Sequence, residues 1–208
     1  MKIVEFDKNS MSKESATLQC VDVANSTAFP TDYNDVYAHL FETDDLLKLF
    51  VIDDYNTIRG FAVFDSIKTI YNILYLSGMV LGKDIQGNGI SKVLIRRALE
   101  LLKGEIITLR THNPRMYNSL IESVVNYAHF PSIKKVPYAI YELASTISYF
   151  NKIEENLIIR NCYEEELIQQ KTNLKELDDI FGFLNPNDAY GCISLVTENE
   201  KLKKLLKK

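Results

Sequence analysis

The chain has 208 residues, 46% of them hydrophobic and 25% charged, with a formal net charge of −4. That is enough apolar material for one sizeable core, in the proportions of an ordinary folded protein. The acidic balance removes the basic footprint expected of a nucleic-acid binder, and no run approaches the roughly 20 apolar residues of a membrane span, so neither nucleic acid nor membrane is an expected partner. Cys20, Cys162 and Cys192 are odd in number and far apart, which argues against a disulfide framework and for a reducing, cytoplasmic setting. His39, His112 and His129 lack the mutual spacing of metal ligands, so no metal is expected.

Residues 1–7 alternate apolar and charged side chains like a first strand and contain no signal-peptide core. Residues 10–45 are rich in Ser, Thr and Asn and are broken by Pro30; short helices fit, with Val36, Leu40 and Phe41 as a packing face. Asp32, Asp35, Asp44 and Asp45 form either an amine-attracting patch or a solvated acidic face. Residues 47–52 and 60–64 are rich in β-formers and flank turn chemistry at Asp53-Asp54-Tyr55-Asn56-Thr57, which predicts a hairpin.

The apolar run at 73–81, with its β-branched and aromatic content, suits a buried strand. From Ser91 onward the period is helical, with Leu94, Ala98, Leu101 and Leu102 on one stripe and Arg96, Arg97, Glu100 and Lys103 on the other. Between strand and helix lies Gln86-Gly87-Asn88-Gly89-Ile90-Ser91. The first turn of a helix has amides without intrahelical partners and roughly half a positive charge from the macrodipole, so it attracts phosphate. Glycines at 87 and 89 permit close backbone approach and positive φ. A plain Asn-Gly turn is the alternative, although a hairpin there would need a second strand. No Lys-Ser/Thr follows the glycines as in a P-loop, and the three-glycine dinucleotide fingerprint is absent.

Gln86-x-x-Gly89-x-Ser91, between a strand and a helix, resembles the acetyl-CoA signature Gln/Arg-x-x-Gly-x-Gly/Ala of the GNAT superfamily of N-acetyltransferases. Ser91 departs from the last position but is also small. The resemblance implies a mixed α+β fold, a mostly antiparallel central sheet flanked by helices, and with no internal repeat or long linker visible the chain reads as one domain over 1–208. Its core would span about 46–126, with a C-terminal elaboration over about 130–208. It implies that Gln86, Gly87, Asn88, Gly89, Ile90 and Ser91 hold acetyl-CoA and that Met79, Val80 and Leu81 offer backbone groups to its pantetheine arm, as an added strand would. It also implies that residues 10–45 lie over the acceptor pocket.

Residues 105–111 read as the next strand, and Asn113 with Pro114 as the start of a helix. The resemblance gives Asn113 a second role as a contact to the cofactor arm. Many members of the superfamily carry a Tyr general acid seven residues further on; here that position is Leu120. Tyr117 is the nearest phenol, either the acid or a packed aromatic. No base is assigned, and Tyr75, Ser77 and His112 are candidates by neighbourhood alone.

Residues 138–150 suit a helix starting near Pro137 with Ile140, Leu143, Ala144 and Ile147 inward, its tyrosines either shaping an acceptor pocket or packing. Residues 156–162 and 189–196 read as a final antiparallel pair holding Cys162 and Cys192 as buried small hydrophobes, with a charged helical segment over 164–183 and a turn at 185–188 between them. The tail from Leu202 reads as a basic, frayed helix end. The expected activity is direct transfer of an acetyl group from acetyl-CoA to a primary amine on a small molecule or a protein. The alternative is a CoA-binding or sensory module without turnover. A homodimer is among the assemblies left open.

Overall fold

The computed structural model describes residues 1–27, 31–42, 46–124, 128–132, 135–163, 171–196 and 200–206. Expectations for Asp44, Asp45 and residues 164–170 lie outside the described residues. The chain divides into two compact units, Met1–Ser66 with Tyr75–Lys103, and Ile67–Leu74 with Gly104–Lys208.

The first unit contains β1 (Lys2–Glu5), α1 (Lys13–Asn25), α2 (Tyr33–Phe41), β2 (Leu47–Ile52), most of β3 (Ile58–Lys68), the larger part of β4 (Asn72–Leu81) and α3 (Ile90–Leu102). Its strands are ordered β1-β2-β3-β4, and β2 runs antiparallel to both β1 and β3. The predicted hairpin is present, with Asp53 Oδ1 accepting from the amides of Tyr55 and Thr57 at 2.9 Å each. The first helix, α1, is longer than the short helices expected. Ser12 caps it, its hydroxyl oxygen accepting from the Ser15 amide at 3.1 Å. Its buried stripe is Ala16, Cys20 and Val23, at the i, i+4, i+7 spacing of one helical face. That stripe packs in one apolar cluster with Val36, Leu40 and Phe41 of α2 and with Phe50 and Phe61. Asp32 caps α2, accepting from the Asp35 amide at 2.9 Å, which gives this carboxylate a structural use.

The second unit begins with the opening residues of β4 and continues through β5 (Ile106–Thr111), α4 (Pro114–Ser123), β6 (Ala128–Phe130), α5 (Tyr138–Ser145), β7 (Ile158–Ile159), α6 (Lys175–Phe181), β8 (Ala189–Leu195) and α7 (Glu200–Leu206). Its strand order is β4-β5-β8-β6, with β7 also on β8. Every residue of β8 is buried, as its unbroken small and apolar run requires, and it pairs antiparallel with β5, β6 and β7. The fold is thus mixed α+β with a mostly antiparallel sheet, eight strands and seven helices among the described residues.

Three expectations are corrected. The predicted strand at 156–162 shrinks to the two residues of β7, because Leu157 and Asn161 take positive φ (67° and 49°) on either side of it. Cys162 therefore lies beyond the strand, half-buried, while Cys192 is fully buried in β8. The helix at 138 ends at Ser145 and does not reach 150, although Ile140, Leu143, Ala144 and Ile147 are all buried as expected.

The C-terminal tail is a docked helix. Leu202 is 0% exposed and Leu205 8% exposed, while the Lys201 ammonium donates to the Ile70 carbonyl and lies 4.5 Å from the Tyr71 ring centroid. A Leu202→Ala variant is expected to lose about 2–5 kcal/mol in urea unfolding, the range for removing a buried leucine side chain. A frayed end would show no measurable loss.

Candidate functional site

At its carboxyl end β4 runs into a turn held on all sides. The Gly82 amide donates to the Arg59 carbonyl of β3 at 2.8 Å, and the Ile85 amide to the Gly82 carbonyl at 3.0 Å. A Cβ at Gly82 would lie 2.9 Å from that Arg59 oxygen, so only glycine permits the approach. Arg59 grips the turn a second time through Asp84, with Nε 3.2 Å and Nη2 2.5 Å from Oδ2. The hydrogen bond and charge of Arg59 hold the Asp84 carboxyl below its ordinary range. Buried Ile85 anchors the turn from below.

Gln86 folds back, its Nε2 donating to the Leu81 carbonyl at 2.7 Å. This conserves the geometry of the strand end and leaves the next residues to the glycines. Gly87 has φ +80° and open space where a Cβ would stand, and Gly89 has φ +73°. Gly89 is the N-cap of α3 and has no side chain to put on the first-turn amides. Lys92 lies beside it, with Cε 3.2 Å and Nζ 3.8 Å from where a Gly89 Cβ would be. The turn therefore places the positive end of a 13-residue helix, without a side-chain cap, beside an ammonium. Such a concavity suits a diphosphate. Met79, Val80 and Leu81, the strand residues leading in, are half-buried rather than sealed into the core.

In the second unit Asn113 is the N-cap of α4, with Pro114 in the first turn. Its Oδ1 accepts from the Arg115 amide at 2.9 Å and its own amide donates to Thr111 Oγ1 at 2.9 Å. Tyr117 is 1% exposed, its hydroxyl donates to the Pro131 carbonyl, and its ring lies 5.8 Å from that of Phe181. Burial pushes its pKa well up. A donor to a departing thiolate must reach it, and this hydroxyl is enclosed and engaged, so the geometry favours the packing role. Leu120 is also fully buried.

His112 is 4% exposed, and its Nδ1 lies 2.8 Å from the Asp188 carbonyl. A carbonyl can only accept, so Nδ1 carries a proton here, and Nε2 has no hydrogen-bond partner among the described residues. Tyr138, Tyr141 and Phe183 line a cavity of about 890 Å³ within this unit. No group of three or more His, Cys, Asp or Glu with metal-site geometry occurs among the described residues, and no helix among them is long and apolar enough to cross a membrane.

Residues 79–91 are thus brought together within one unit, while Asn113 and Tyr117 belong to the other. The Arg59–Asp84 clamp and Lys92 were not singled out from the sequence. Gly82 stood in plain view, but its partner lies 23 positions away and leaves no local trace.

A comparison with protein families decides the assignment: residues 17–119 match the model of the acetyltransferase (GNAT) family. The chain carries a GNAT acetyltransferase domain. The signature segment, its strand and its helix all fall inside the matched GNAT region. Among curated protein sequences none is significantly similar to the chain. Solved structures share the fold at low identity. An aminoglycoside 6'-acetyltransferase type Ii aligns at 14% identity and TM-score 0.55, over 96% of this chain and 99% of that one. An aminoglycoside 6'-N-acetyltransferase from Enterococcus faecium aligns at 13% and 0.51, over 96% and 99%. The ribosomal-protein-S18-alanine N-acetyltransferase from Escherichia coli aligns at 13% and 0.50, over 96% of each. The expected fold and family are those found.

Proposed function

We propose that the chain transfers an acetyl group from acetyl-CoA directly to a primary amine. The observation that carries this is the mouth of α3 without a side-chain cap, where two glycines at positive φ follow a strand and Lys92 lies beside the second of them. The space over Gly87 and the missing cap at Gly89 fit a CoA diphosphate, held by the amides of residues 87–91. Met79, Val80 and Leu81 would orient the pantetheine arm through their backbone groups, and Asn113 is proposed as a further contact of that arm. Acetyl-CoA supplies a thioester whose carbonyl carbon accepts the amine. Tyr117, enclosed and donating to the Pro131 carbonyl, stands outside this chemistry.

The acceptor is a small-molecule or protein amine; two of the structural neighbours are named for aminoglycosides and one for a protein alanine. Titration with coenzyme A in a calorimeter should give heat, and a panel of aminoglycoside, polyamine and peptide amines with acetyl-CoA should release thiol with at least one member. Heat without thiol from any amine would favour a second reading, a CoA-binding module without turnover. Buried Leu120 at the usual acid position favours that reading.

A further inference from the structure

Direct transfer needs a group that takes the proton from the attacking amine, and the glycine turn offers none. We infer that His39 of α2 is that group, with Nε2 as the accepting atom. The inference rests on the acetyl-CoA site proposed above.

Gly78 lies on β4 immediately before Met79, Val80 and Leu81. A Cβ built on Gly78 would collide with His39 Nε2 and would lie 3.0 Å from Cε1 and 3.4 Å from Cδ2. The strand therefore lacks a side chain at a position where the imidazole presses on it, and the ring edge carrying Nε2 meets the backbone there. All of these residues lie within the first unit, as does the glycine turn that continues from the same strand. The ring thus stands beside the segment proposed to carry the arm of the cofactor, on the thioester side of the diphosphate cradle.

The state of the ring fits the task. His39 is half-buried, so it is held in place yet not sealed as His112 is. No hydrogen bond or ion pair engages it among the described residues. It sits in the last turn of α2, where the helix dipole favours the charged form, yet burial outweighs this and lowers its pKa. A neutral imidazole with an uncommitted nitrogen is a proton acceptor at neutral pH.

The step balances simply. The amine lone pair forms the new N–C bond at the thioester carbonyl, and the C–S bond breaks with its electron pair leaving on sulfur. The proton lost by nitrogen goes to Nε2 and then to solvent, and the thiolate takes a proton from water. Nothing is oxidised or reduced.

Two measurements test the assignment. In protein labelled with ¹⁵N-histidine, the ring signals of His39 are identified by their loss in a His39→Gln variant and those of His129 by their loss in a His129→Gln variant. Saturation with acetyl-CoA should move the ring signals of His39 and leave those of His129 in place. Heat of acetyl-CoA binding with an unmoved His39 overturns the inference alone, whereas no heat removes the cofactor reading on which it rests.

With the amine returned by the panel, His39→Ala and His39→Gln should lose turnover by at least about 100-fold, the usual scale of general base catalysis. Their affinity for CoA should be unchanged, and added imidazole should restore part of the rate to His39→Ala. Turnover within threefold of the parent in both variants, or a loss that imidazole does not restore, overturns it.

Discussion

Gly89→Asp is expected to bind coenzyme A at least about 100-fold more weakly than the parent, some 2.7 kcal/mol at 25 °C. The substitution places a carboxylate at the mouth of α3, beside the Lys92 ammonium. Two like charges about 4 Å apart near a protein surface repel by about 4 kcal/mol, so the electrostatic term alone exceeds the predicted loss. The new side chain also draws Lys92 into an ion pair and away from a phosphate. The fold should survive, because aspartate is among the few residues that enter the left-handed region at small cost, and the φ of +73° is the main strain it meets. Calorimetry with coenzyme A, beside a urea melt, separates the two effects. Unchanged affinity in a stable Gly89→Asp protein would show that the diphosphate is held elsewhere.

Tyr117 gives the second large effect, and here stability and turnover are expected to part company. Its ring packs on Phe181, which in turn meets Tyr190 with centroids 5.2 Å apart, so three aromatics interlock α4, α6 and β8. Truncation to alanine should cost about 3–5 kcal/mol, as for other fully buried aromatic rings. Tyr117→Phe keeps the ring and removes only the bond to the Pro131 carbonyl, leaving a buried acceptor short of one donor. That should cost about 1–3 kcal/mol. Turnover of Tyr117→Phe should stay within a few-fold of the parent. A hundredfold fall in turnover with stability intact would restore the phenol as the proton donor to the thiolate.

How far the sequence could be read follows the range of the forces involved. The segment from β4 to α3 was legible because strand, glycine turn and amphipathic helix are each local patterns, and the Asn113-Pro114 start of α4 is likewise a two-residue signal. In α3 the buried stripe proved to include Ile95 as well as Leu94 and Ala98, while Leu101 and Leu102 are only half-buried. The first helix outruns the short helices expected because its inward face is mostly Ala16, Thr17, Cys20 and Ala24, small residues with little contrast against the outer face. Three-residue β6 exists because β8 offers it a register opposite Ile193–Leu195, and nothing in Ala128-His129-Phe130 announces that partner. The tail misled for a related reason: its five lysines over 201–208 dominate the composition, while the two leucines that decide its fate are only three apart. In the candidate site the glycines were visible and His39 was not, since its significance comes from Gly78, a neighbour 39 positions away.

The double attachment of residues 82–84 to Arg59 has a kinetic consequence. Because β3 supplies both tethers, the amide cluster takes its shape when the protein folds rather than when a ligand arrives. Capture of a nucleotide-bearing thioester should then proceed as one concentration-dependent phase in a stopped-flow trace, with no slower rearrangement trailing behind it.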